Sequence, residues 1–593
     1  MRFYFGCLLG LLLLSGCGSG QGNAPPTVTV SGPSEAVERS LVTLSSTASD
    51  SDGEVVSYRW VQVSGPTVAA ETFSSSVLEF EAPNVDDDEA VVFRLSVEDD
   101  SGGEASSSDV TVLVLNSLAD ANAVLSAHVS EDDTQSSVFI TSLQIDVDPN
   151  VLEAISFTIE PRSGAVADPV RVSRLVDELP RTEASITVPV FGLYQDFINT
   201  VSLEFTYIDG SSGVLTTELT TGLYEDNPIQ PTVNVSPAAG DKPSFSYFYL
   251  KSRFGIHILD IDGFVRWAAN TPLDSNSSTY DAGQFIVFVG DEMFELALSG
   301  EVNVTELTQE GLSNIQAHHD VDRGKFGYLV EIDADKEGRS ERIIESILLE
   351  VDESGTTINE WDYGIIFRDL IEAEGYDPSN FVRDGVDWFH MNSAIYDPSD
   401  NSIIASSREN FVVKIDYDTH EVLWLLGDET KHWYVNYPPL QGLSLSSPDV
   451  KPIGQHALSI VEGDLMLFNN GQFSFQSPEG EPRGEVLTSS PASRYRIDQG
   501  SMVAEVVWNY DPSIYSDICS SVFRDPSSDA GDYLVHYSAV DRLDTSEPPK
   551  PTRTLIKGIN EDGVTLFEFQ LPTRFCQTAW QSRPLPQLSS GLL

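Results

Sequence analysis

Histidine and arginine side chains recur in three similar local contexts in the second half of the chain. Eight of the nine histidines follow position 240. Each of the three segments has two strand-like runs separated by a turn that contains Asp or Gly. The first segment carries His318 and His319, the second carries His390 and Arg408, and the third carries His456. Imidazole serves as a nucleophile or a general acid–base, and guanidinium binds oxyanions through paired donors. The shared layout, with a histidine just before a strand, predicts that these side chains converge at one site.

Two other interpretations of the histidines stay open on spacing alone. A histidine before a strand is commonly a hydrogen-bonded loop residue, and three histidines can hold a metal ion. A dication would be repelled by Arg408, so we expect no metal there. The remaining histidines are interpreted as surface or packing residues; they are His128, His257, His420, His432 and His536.

Residues 239–593 repeat one local unit, a turn followed by a strand-like run. Four of the six runs end in tryptophan. Recurrence of one such unit in an all-β region predicts a six-bladed β-propeller, in which the candidate histidines face the central channel. One helix is expected near residues 366–373, ended by Gly375. The six turns contain Gly263, Gly300, Gly355, His420, Gly500 and Gly563.

Two small β-rich domains are expected before the propeller, at residues 27–117 and 118–238. In the first, short alternating runs separated by turn residues predict a β-sandwich, and the run TASDSDGEVVSYRWVQVSGP resembles PKD-type immunoglobulin-like modules. Its acidic turn at Asp50 and Asp52 could hold calcium, although a solvated turn is the simpler interpretation. The second domain offers strand-like composition and no chemistry.

The first 17 residues read as a lipoprotein signal peptide. Arg2 precedes a short apolar run, and Leu14-Ser15-Gly16-Cys17 resembles a bacterial lipobox. We therefore expect lipid on Cys17, residues 18–26 as a tether, and a location in the cell envelope, at the outer membrane facing the periplasm or the cell surface. Labelling with a radioactive fatty acid should disappear in Cys17→Ala; label retained in that variant would contradict the assignment.

Composition and cysteine content narrow the function classes. With 33 basic and 92 acidic residues, the formal net charge is −59, which excludes nucleic-acid binding through a basic surface.

Cys7 leaves with the signal peptide and Cys17 carries lipid. The economical interpretation of the remaining two, Cys519 and Cys576, is a disulfide in an oxidising compartment.

Three long motifs resemble bacterial arylsulfate sulfotransferases. They are DWFHMNSAIYDPSDNSIIASSR, VVKIDYDTHEVLWLLGD and QHALSI followed by FNNG, with HHD upstream. The resemblance covers about residues 239–593, and the β domain before it is similar to that family's N-terminal domain. It implies a six-bladed propeller that moves a sulfuryl group from an aryl sulfate to a phenol, without a cofactor or a nucleotide donor. The absence of a GxxxxGK[ST] motif from the sequence agrees with this implication.

The resemblance also implies a role for each residue. His456 matches the nucleophile that forms a sulfohistidine, which makes the kinetics ping-pong. His390 and His319 match acid–base or oxygen-stabilising positions, and Arg408 matches the sulfate-binding arginine. Asn392 could add a donor to the substrate. His319 is preferred over His318 because it directly precedes the acidic residue; His318 is assigned to substrate binding.

Two features depart from the family's pattern. Residues 429–455 lack the short-range disulfide of enterobacterial members, and the PKD-like module is an addition.

Two functions other than sulfuryl transfer stay open. They are a non-catalytic surface propeller that binds a ligand or polysaccharide, and a histidine–metal hydrolase. The sequence leaves open the physiological donor and acceptor, and whether the chain forms a homo-oligomer.

Overall fold

The chain is all-β and divides into two compact units. The computed structural model describes residues 22–70, 73–121, 126–130, 137–225, 227–269, 273–447, 449–527 and 531–585. Cys7 and Cys17, with the predicted leader and lipidation site, lie outside these residues. Within the described ranges, no helix has both the length and the apolar composition to cross a membrane. One unit comprises Met1–Val124, Val151–Glu153 and Phe205–Gly213, and the other comprises Leu125–Asn150, Ala154–Glu204 and Val214–Leu593.

The first unit contains two sheets that share a core. The sheets have the strand orders β1-β3-β5 and β2-β8-β6-β4, with β7 beside β6. Buried side chains of both sheets, among them Trp60, Phe80 and Phe93, form one cluster, because alternate residues of each strand face inward. The strands are β1 (Thr27–Ser31), β2 (Glu35–Val37), β3 (Leu41–Ser49), β4 (Val55–Ser64), β5 (Val77–Glu81), β6 (Glu89–Asp99), β7 (Glu104–Ser106) and β8 (Val110–Leu115).

The acidic turn of this unit is held by hydrogen bonds of its own. The Asp52 carboxylate accepts from the Ala24 backbone N–H at 3.2 and 3.3 Å. Asp50 Oδ1 accepts from the Ser51 N–H at 2.6 Å. These are ordinary bonds of an acidic turn, and calcium at this turn stays a prediction.

A second pair of sheets follows, after a short helix α1 (Leu118–Ala121). Their orders are β13-β10-β9 and β12-β11-β14-β15. Phe157 and Phe191 meet edge to face across the two sheets, with ring centroids 5.4 Å apart. Two 3₁₀ turns lie at Pro149–Val151 and Val176–Glu178. The strands are β9 (Ala127–Val129), β10 (Ile140–Asp146), β11 (Leu152–Ile159), β12 (Val170–Leu175), β13 (Ser185–Phe191), β14 (Ile198–Tyr207) and β15 (Ser212–Thr220).

Residues from Thr232 onward form six antiparallel sheets within the described ranges. The first has the order β19-β18-β17-β40, and the next four are consecutive four-stranded meanders from β20 to β35. The last has the order β16-β39-β38-β37-β36. The strands of the first three sheets, with β16, are β16 (Thr232–Val235), β17 (Tyr247–Lys251), β18 (His257–Asp260), β19 (Val265–Ala268), β20 (Ser278–Asp281), β21 (Gln284–Val289), β22 (Glu292–Ala297), β23 (Val302–Glu306), β24 (Leu312–Arg323), β25 (Tyr328–Lys336), β26 (Ile343–Val351) and β27 (Thr357–Asp362). The strands of the other three sheets, with β40, are β28 (Met391–Asp397), β29 (Ser402–Ser407), β30 (Phe411–Asp416), β31 (Val422–Gly427), β32 (His456–Val461), β33 (Asp464–Phe468), β34 (Ala492–Asp498), β35 (Val503–Tyr510), β36 (Ser521–Arg524), β37 (Tyr533–Val540), β38 (Arg553–Ile559), β39 (Thr565–Pro572) and β40 (Gln581–Leu585).

Each of the six predicted turns leads into a strand of a different sheet. These strands are β19, β23, β27, β31, β35 and β39. The tryptophans that end three of the runs donate an indole hydrogen bond to the turn of the next sheet. The bonds are Trp267 to Leu298 O at 2.9 Å, Trp361 to Tyr417 O at 3.3 Å and Trp508 to Glu561 O at 3.0 Å. The recurrence of tryptophan thus has a physical cause, since it ties one sheet to the next.

The sheets are linked in sequence order along their first strands. Contacts run from β20 to β24, β28, β32, β36 and β40 in turn. The C-terminal strand β40 pairs antiparallel with β17 of the first sheet, and β16 pairs with β39 of the last. The two ends of this region therefore complete each other's sheets. That the six sheets close into a propeller stays a prediction.

Three helices interrupt the described part of this β region: α2 (Tyr363–Ala373), α3 (His432–Asn436) and α4 (Pro438–Gln441). The predicted helix is α2, and it begins three residues earlier than expected because Asp362 caps it. The Asp362 side chain accepts from the Ile365 N–H at 3.0 Å. Gly375 follows with φ +82°, in the left-handed region that favours glycine after a helix.

The predicted disulfide between Cys519 and Cys576 is confirmed. It joins the segment that leads into β36 to the segment that leads into β40, across 57 residues. Both strands begin next to it, so the bond ties the closing strand to the last sheet.

Candidate active site

The three histidine segments reach the site from the first strands of three neighbouring sheets. His456 is the first residue of β32, and His390 directly precedes β28. The prediction that a histidine stands before each strand is wrong for the HHD pair, because His318 and His319 lie inside β24. The strand pairing is irregular there, between Ala317 and Val321, and with this bulge the His319 ring lies beside that of His390.

Backbone irregularities occur at these positions, as they do elsewhere in the chain. The pairing also shifts after Met391 in β28 and after His456 in β32. Left-handed φ angles occur at His319 (+55°), His390 (+51°) and Glu345 (+46°). Such conformations cost free energy in residues with a Cβ, and they persist where the surrounding structure enforces them. The fold therefore stabilises strained backbone at the point where the candidate residues meet.

His456 is held as a single tautomer. Its Nδ1 lies 2.7 Å from Asn470 Oδ1 and 3.2 Å from Gly454 O, which are both acceptors. The amide of Asn470 is oriented in turn by donating from Nδ2 to Ser516 O at 2.8 Å and to Cys519 O at 2.9 Å. Since Nδ1 must carry the proton, Nε2 presents its lone pair.

The same ring is kept neutral. Burial is the main cause that holds the pKa of His456 well below its usual value, and the positive charges of Arg408 and two neighbouring histidines act in the same direction. Gly454, with φ +62°, allows this packing, because a Cβ there would lie 2.8 Å from Gln472 O. His456 is thus an unprotonated imidazole at neutral pH, the form that attacks an electrophile.

His390 has the opposite charge state. Its Nδ1 lies 2.6 Å from Asp387 Oδ2 and 2.6 Å from Glu345 Oε2. Burial lowers the pKa of His390, but the charge of Glu345 and the bonds to both carboxylates outweigh it and hold the pKa well above its usual value. An imidazolium held at Nδ1 has an Nε2 proton to give, so His390 can serve as a general acid.

Glu345 joins two of the candidate histidines. Its Oε2 also lies 3.2 Å from His319 Nε2, and the His319 and His390 rings meet with centroids 4.7 Å apart. Burial raises the pKa of Glu345, but the charges of the neighbouring histidines outweigh it and hold that pKa well below its usual value. One carboxylate therefore positions both rings.

His318 lies on the side of His319 that faces Glu331 and Asp333. It packs beside His319 with ring centroids 5.1 Å apart, and its nitrogens lie 3.9 Å from Glu331 Oε2 and 3.7 Å from Asp333 Oδ1. Burial is the main cause that lowers the pKa of His318 to about 3. The largely buried ring packs against His319. Its assignment to substrate binding stays a prediction.

Arg408 brings a buried cation to the site. It follows β29, and its backbone N–H donates to His390 O at 3.0 Å. Nη1 pairs with Glu409 Oε1, while Nη2 is buried and has no hydrogen-bond partner among the residues that the structure describes. A buried donor without a partner is costly, so this nitrogen is suited to an oxyanion that arrives with a ligand.

Asn392 acts on the backbone that carries His456. Its Nδ2 donates to Gln455 O at 2.8 Å, and the neighbouring Ser393 Oγ accepts from the Leu458 N–H at 3.0 Å. These bonds fix β32 against β28 on both sides of His456. The Asn392 amide thus holds the strand that carries His456, and its role as a donor to substrate stays a prediction.

Two overlapping groups of side chains could in principle hold a cation. They are His318, His319 and Glu345, and Glu345, Asp387 and His390. The two 2.6 Å contacts of His390 Nδ1 are charge-assisted hydrogen bonds. A proton on that nitrogen would offset the charge of one of the two carboxylates, and the expectation of no metal here stays a prediction.

The other histidines lie away from this site, as interpreted from the sequence. His257 is buried and its Nε2 lies 3.2 Å from Tyr224 Oη, while His432 and His536 are buried in packing. His420 sits in the turn before β31, and His128 is exposed on β9.

Four site residues escaped the sequence reasoning. Asp387 stands three residues before His390, and Asn470 lies in the FNNG motif. Both residues are therefore part of motifs that the sequence analysis identified. Glu409 directly follows Arg408. Glu345 had no signal, because it reaches His319 and His390 from β26 only through the folded sheet.

Three family profiles match the chain in succession. The arylsulfotransferase (ASST) profile matches residues 242–581, the arylsulfotransferase Ig-like domain matches 140–224, and a PKD domain profile matches 29–114.

Two curated relatives carry the name arylsulfate sulfotransferase AssT. The protein from Escherichia coli O6:H1 (strain CFT073) is 22% identical over 473 residues, covering 62% of this chain and 77% of the relative. The protein from Lelliottia amnigena is 21% identical over 439 residues, covering 54% and 70%.

Among solved structures, the solution structure of the PKD domain from the KIAA 1837 protein matches 18% of this chain and 94% of its own, at 28% identity and a TM-score of 0.13. That score is too low to support any structural argument.

The ASST profile spans more than half of the sequence and includes every candidate side chain described above. The chain therefore belongs to the arylsulfotransferase family, and it carries that family's Ig-like domain together with a PKD-like domain.

Proposed function

We propose that the protein transfers a sulfuryl group from an aryl sulfate ester to a phenol through a covalent intermediate on His456. The family supports sulfuryl transfer in general. The residue roles and the two-step route follow from the charge states and hydrogen bonds of the site.

In the first half-reaction, the Nε2 lone pair of His456 attacks sulfur and the sulfur–oxygen bond to the aryl group breaks. The leaving phenolate takes the Nε2 proton of His390 and departs as a phenol. Sulfation makes the His456 ring cationic, and Asn470 Oδ1 stabilises its Nδ1–H. Arg408 Nη2 donates to the sulfuryl oxygens, where negative charge is concentrated.

In the second half-reaction, the acceptor phenol gives its proton to the now neutral His390. Its oxygen attacks sulfur, and the nitrogen–sulfur bond to His456 breaks. His456 leaves as a neutral imidazole, because its Nδ1 proton stayed on the ring throughout. His390 is again protonated, so the site returns to its starting state.

The single observation that carries this proposal is the Nδ1 contact of His456 with an Asn470 amide that two backbone carbonyls orient. The test is to incubate the purified protein with a chromogenic aryl sulfate and a range of phenol concentrations. We expect phenol to accelerate chromophore release and double-reciprocal plots to be parallel. Intersecting plots, or no dependence on phenol, would contradict the transfer route.

Glu345→Gln should narrow the range of pH in which the enzyme works. The general acid is active only when protonated, so kcat/KM falls as pH rises through the pKa of His390. Glu345 raises that pKa, and its loss should move the alkaline limb down by about 1–3 pH units. On the acid side, kcat/KM should fall only at a pH well below the usual histidine pKa of about 6.5. The reason is that the pKa of His456 is lowered, so His456 is still neutral at that usual value.

The pH profile of kcat/KM, measured from about pH 4 to 10 so that it spans the usual histidine pKa, checks this expectation. Glu421→Gln is a matched control, since Glu421 is exposed in the turn before β31. An alkaline limb that is unchanged in Glu345→Gln would contradict the assigned role of His390.

We further propose that the six sheets form a six-bladed propeller around a common axis. A cavity of about 540 Å³ is lined by residues from five of the six sheets, including Tyr249, Tyr280, Asp322, Val461 and Phe523. Side chains from so many sheets share one cavity only if their first strands surround it.

A buried ion network supports the same arrangement. Asp320 of β24 pairs with Lys251 of β17 at 2.5 Å and with Arg583 of β40 at 2.7 Å. Ser393 of β28 also reaches Asp320, at 3.5 Å. These strands belong to three different sheets, so the first strands of the sheets converge on Asp320.

A further inference from the structure

The loop between β33 and β34 places an exposed phenyl ring beside the buried guanidinium of the site. The Arg408 side chain is 3% exposed, whereas Phe475 is 41% exposed. The Arg408 guanidinium carbon lies 4.0 Å from the centre of the Phe475 ring. The two side chains form a cation–π contact, and part of the ring surface stays open to solvent.

The ring is held there by the carboxylate that also holds Arg408. Glu409 Oε1 pairs with Arg408 Nη1, while Glu409 Oε2 accepts from Ser474 Oγ at 2.6 Å and from the Gln476 N–H at 2.9 Å. The residues on both sides of Phe475 are thus fixed to the partner of the guanidinium. The distance between the ring and Arg408 is set by the fold.

A second aromatic side chain supports the position. The Phe473 and Phe475 rings meet edge to face at 5.8 Å, and Arg483 lies over the Phe473 ring at 3.8 Å. Arg483 Nε also donates to Ser474 O at 2.9 Å. These contacts hold the residues next to Phe475 in place on the side away from its exposed ring.

We propose that Phe475 is the platform on which the aromatic ring of the sulfuryl donor stacks. This inference rests on the proposed function and names a recognition element for the aryl group. An aryl sulfate whose sulfuryl oxygens bind Arg408 Nη2 carries its ring one oxygen atom away from the sulfur. Arg408 is the side chain that Phe475 contacts, and aromatic pairs attract at centroid separations of about 4.5–7 Å. An apolar ring would also cover the surface that Phe475 leaves open.

The test compares donor binding in a background that stops the chemistry. The dissociation constants of 4-nitrophenyl sulfate and of inorganic sulfate are measured by calorimetry in His456→Ala, with and without Phe475→Leu. We expect Phe475→Leu to weaken the aryl sulfate about 3- to 10-fold, the range for loss of an aromatic pair. Inorganic sulfate, which has no ring, should bind unchanged, and Phe475→Tyr should bind both like phenylalanine.

The control is Phe326→Leu, which removes an exposed phenyl from the turn between β24 and β25. Equal weakening of both ligands in Phe475→Leu would show that Phe475 only positions Arg408, and it would overturn the platform. No weakening of either ligand would overturn it as well. Failure of the wild-type protein to transfer sulfuryl groups would refute the proposed function instead, because these binding measurements do not depend on turnover.

Discussion

His456→Ala should lower the rate of sulfuryl transfer by at least about 10³-fold, because the covalent route has no other nucleophile. Ser393 and Asn392 hold the strand through backbone groups, so the variant should fold normally. The measurement is kcat for a chromogenic aryl sulfate with saturating phenol, together with a thermal melt. Added imidazole should restore part of the activity by occupying the space that the side chain leaves.

The matched control is His128→Ala, since His128 is exposed on β9, outside the ASST match. It should retain full activity. Transfer within a few-fold of wild type in His456→Ala would refute the nucleophile assignment, whatever imidazole does.

Arg408→Lys should lower kcat/KM by about 10²–10³-fold although it keeps the charge. Arginine fills two roles at once: Nη1 pairs with Glu409, and Nη2 stays open for the substrate. A lysine ammonium is a point charge on a flexible stem, and with Glu409 beside it, its donors would be drawn to that carboxylate. The buried carboxylate would then be satisfied and the sulfuryl oxygens would lose their donor.

Steady-state kinetics with several donors check this expectation. Arg496→Lys serves as the control, because Arg496 makes a two-pronged pair with Asp464 on an exposed side chain outside the site. Wild-type kcat/KM in Arg408→Lys would mean that charge alone suffices and that the open Nη2 has no function.

The repeating architecture was accessible to sequence reasoning because its signals are local. The turns at Gly263, Gly300, Gly355 and Gly563 need left-handed backbone, which glycine adopts at little cost. The tryptophans mark the strands that bond to the next sheet. Six local signals therefore predicted six sheets, one for each turn.

Short strands of the N-terminal domains were missed for a related reason. The strands β2, β7 and β9 have three residues each. Three residues are too few to show alternation of polar and apolar side chains. Such strands exist because longer neighbours offer hydrogen bonds, and that information is not local.

The site was predicted where a motif surrounds the residue, and it was incomplete where partners come from other strands. His390, Arg408 and His456 lie in long motifs, and they contribute an imidazole with a raised pKa, a buried cation and a neutral imidazole. Their charge states depend on Glu345 and Asn470. Glu345 lies on β26 and faces His390 only through sheet pairing and a strained backbone, which no spacing in the sequence expresses.

The contacts of two further residues depend on the fold. His318 lies beside His319 and 3.9 Å from Glu331, and the side-chain amide of Asn392 donates to the backbone at Gln455. No spacing in the sequence expresses these contacts, and substrate binding by either residue stays a prediction.

The measurement that tests the central claim most directly is mass spectrometry of the protein after brief mixing with an aryl sulfate in the absence of phenol. The account predicts one sulfuryl group on the peptide containing Gln455-His456-Ala457, formed together with one equivalent of released phenol. Addition of an acceptor phenol should remove the group, and His456→Ala should carry none. Transfer that proceeds with no modified His456, or with the group on another residue, would contradict the account.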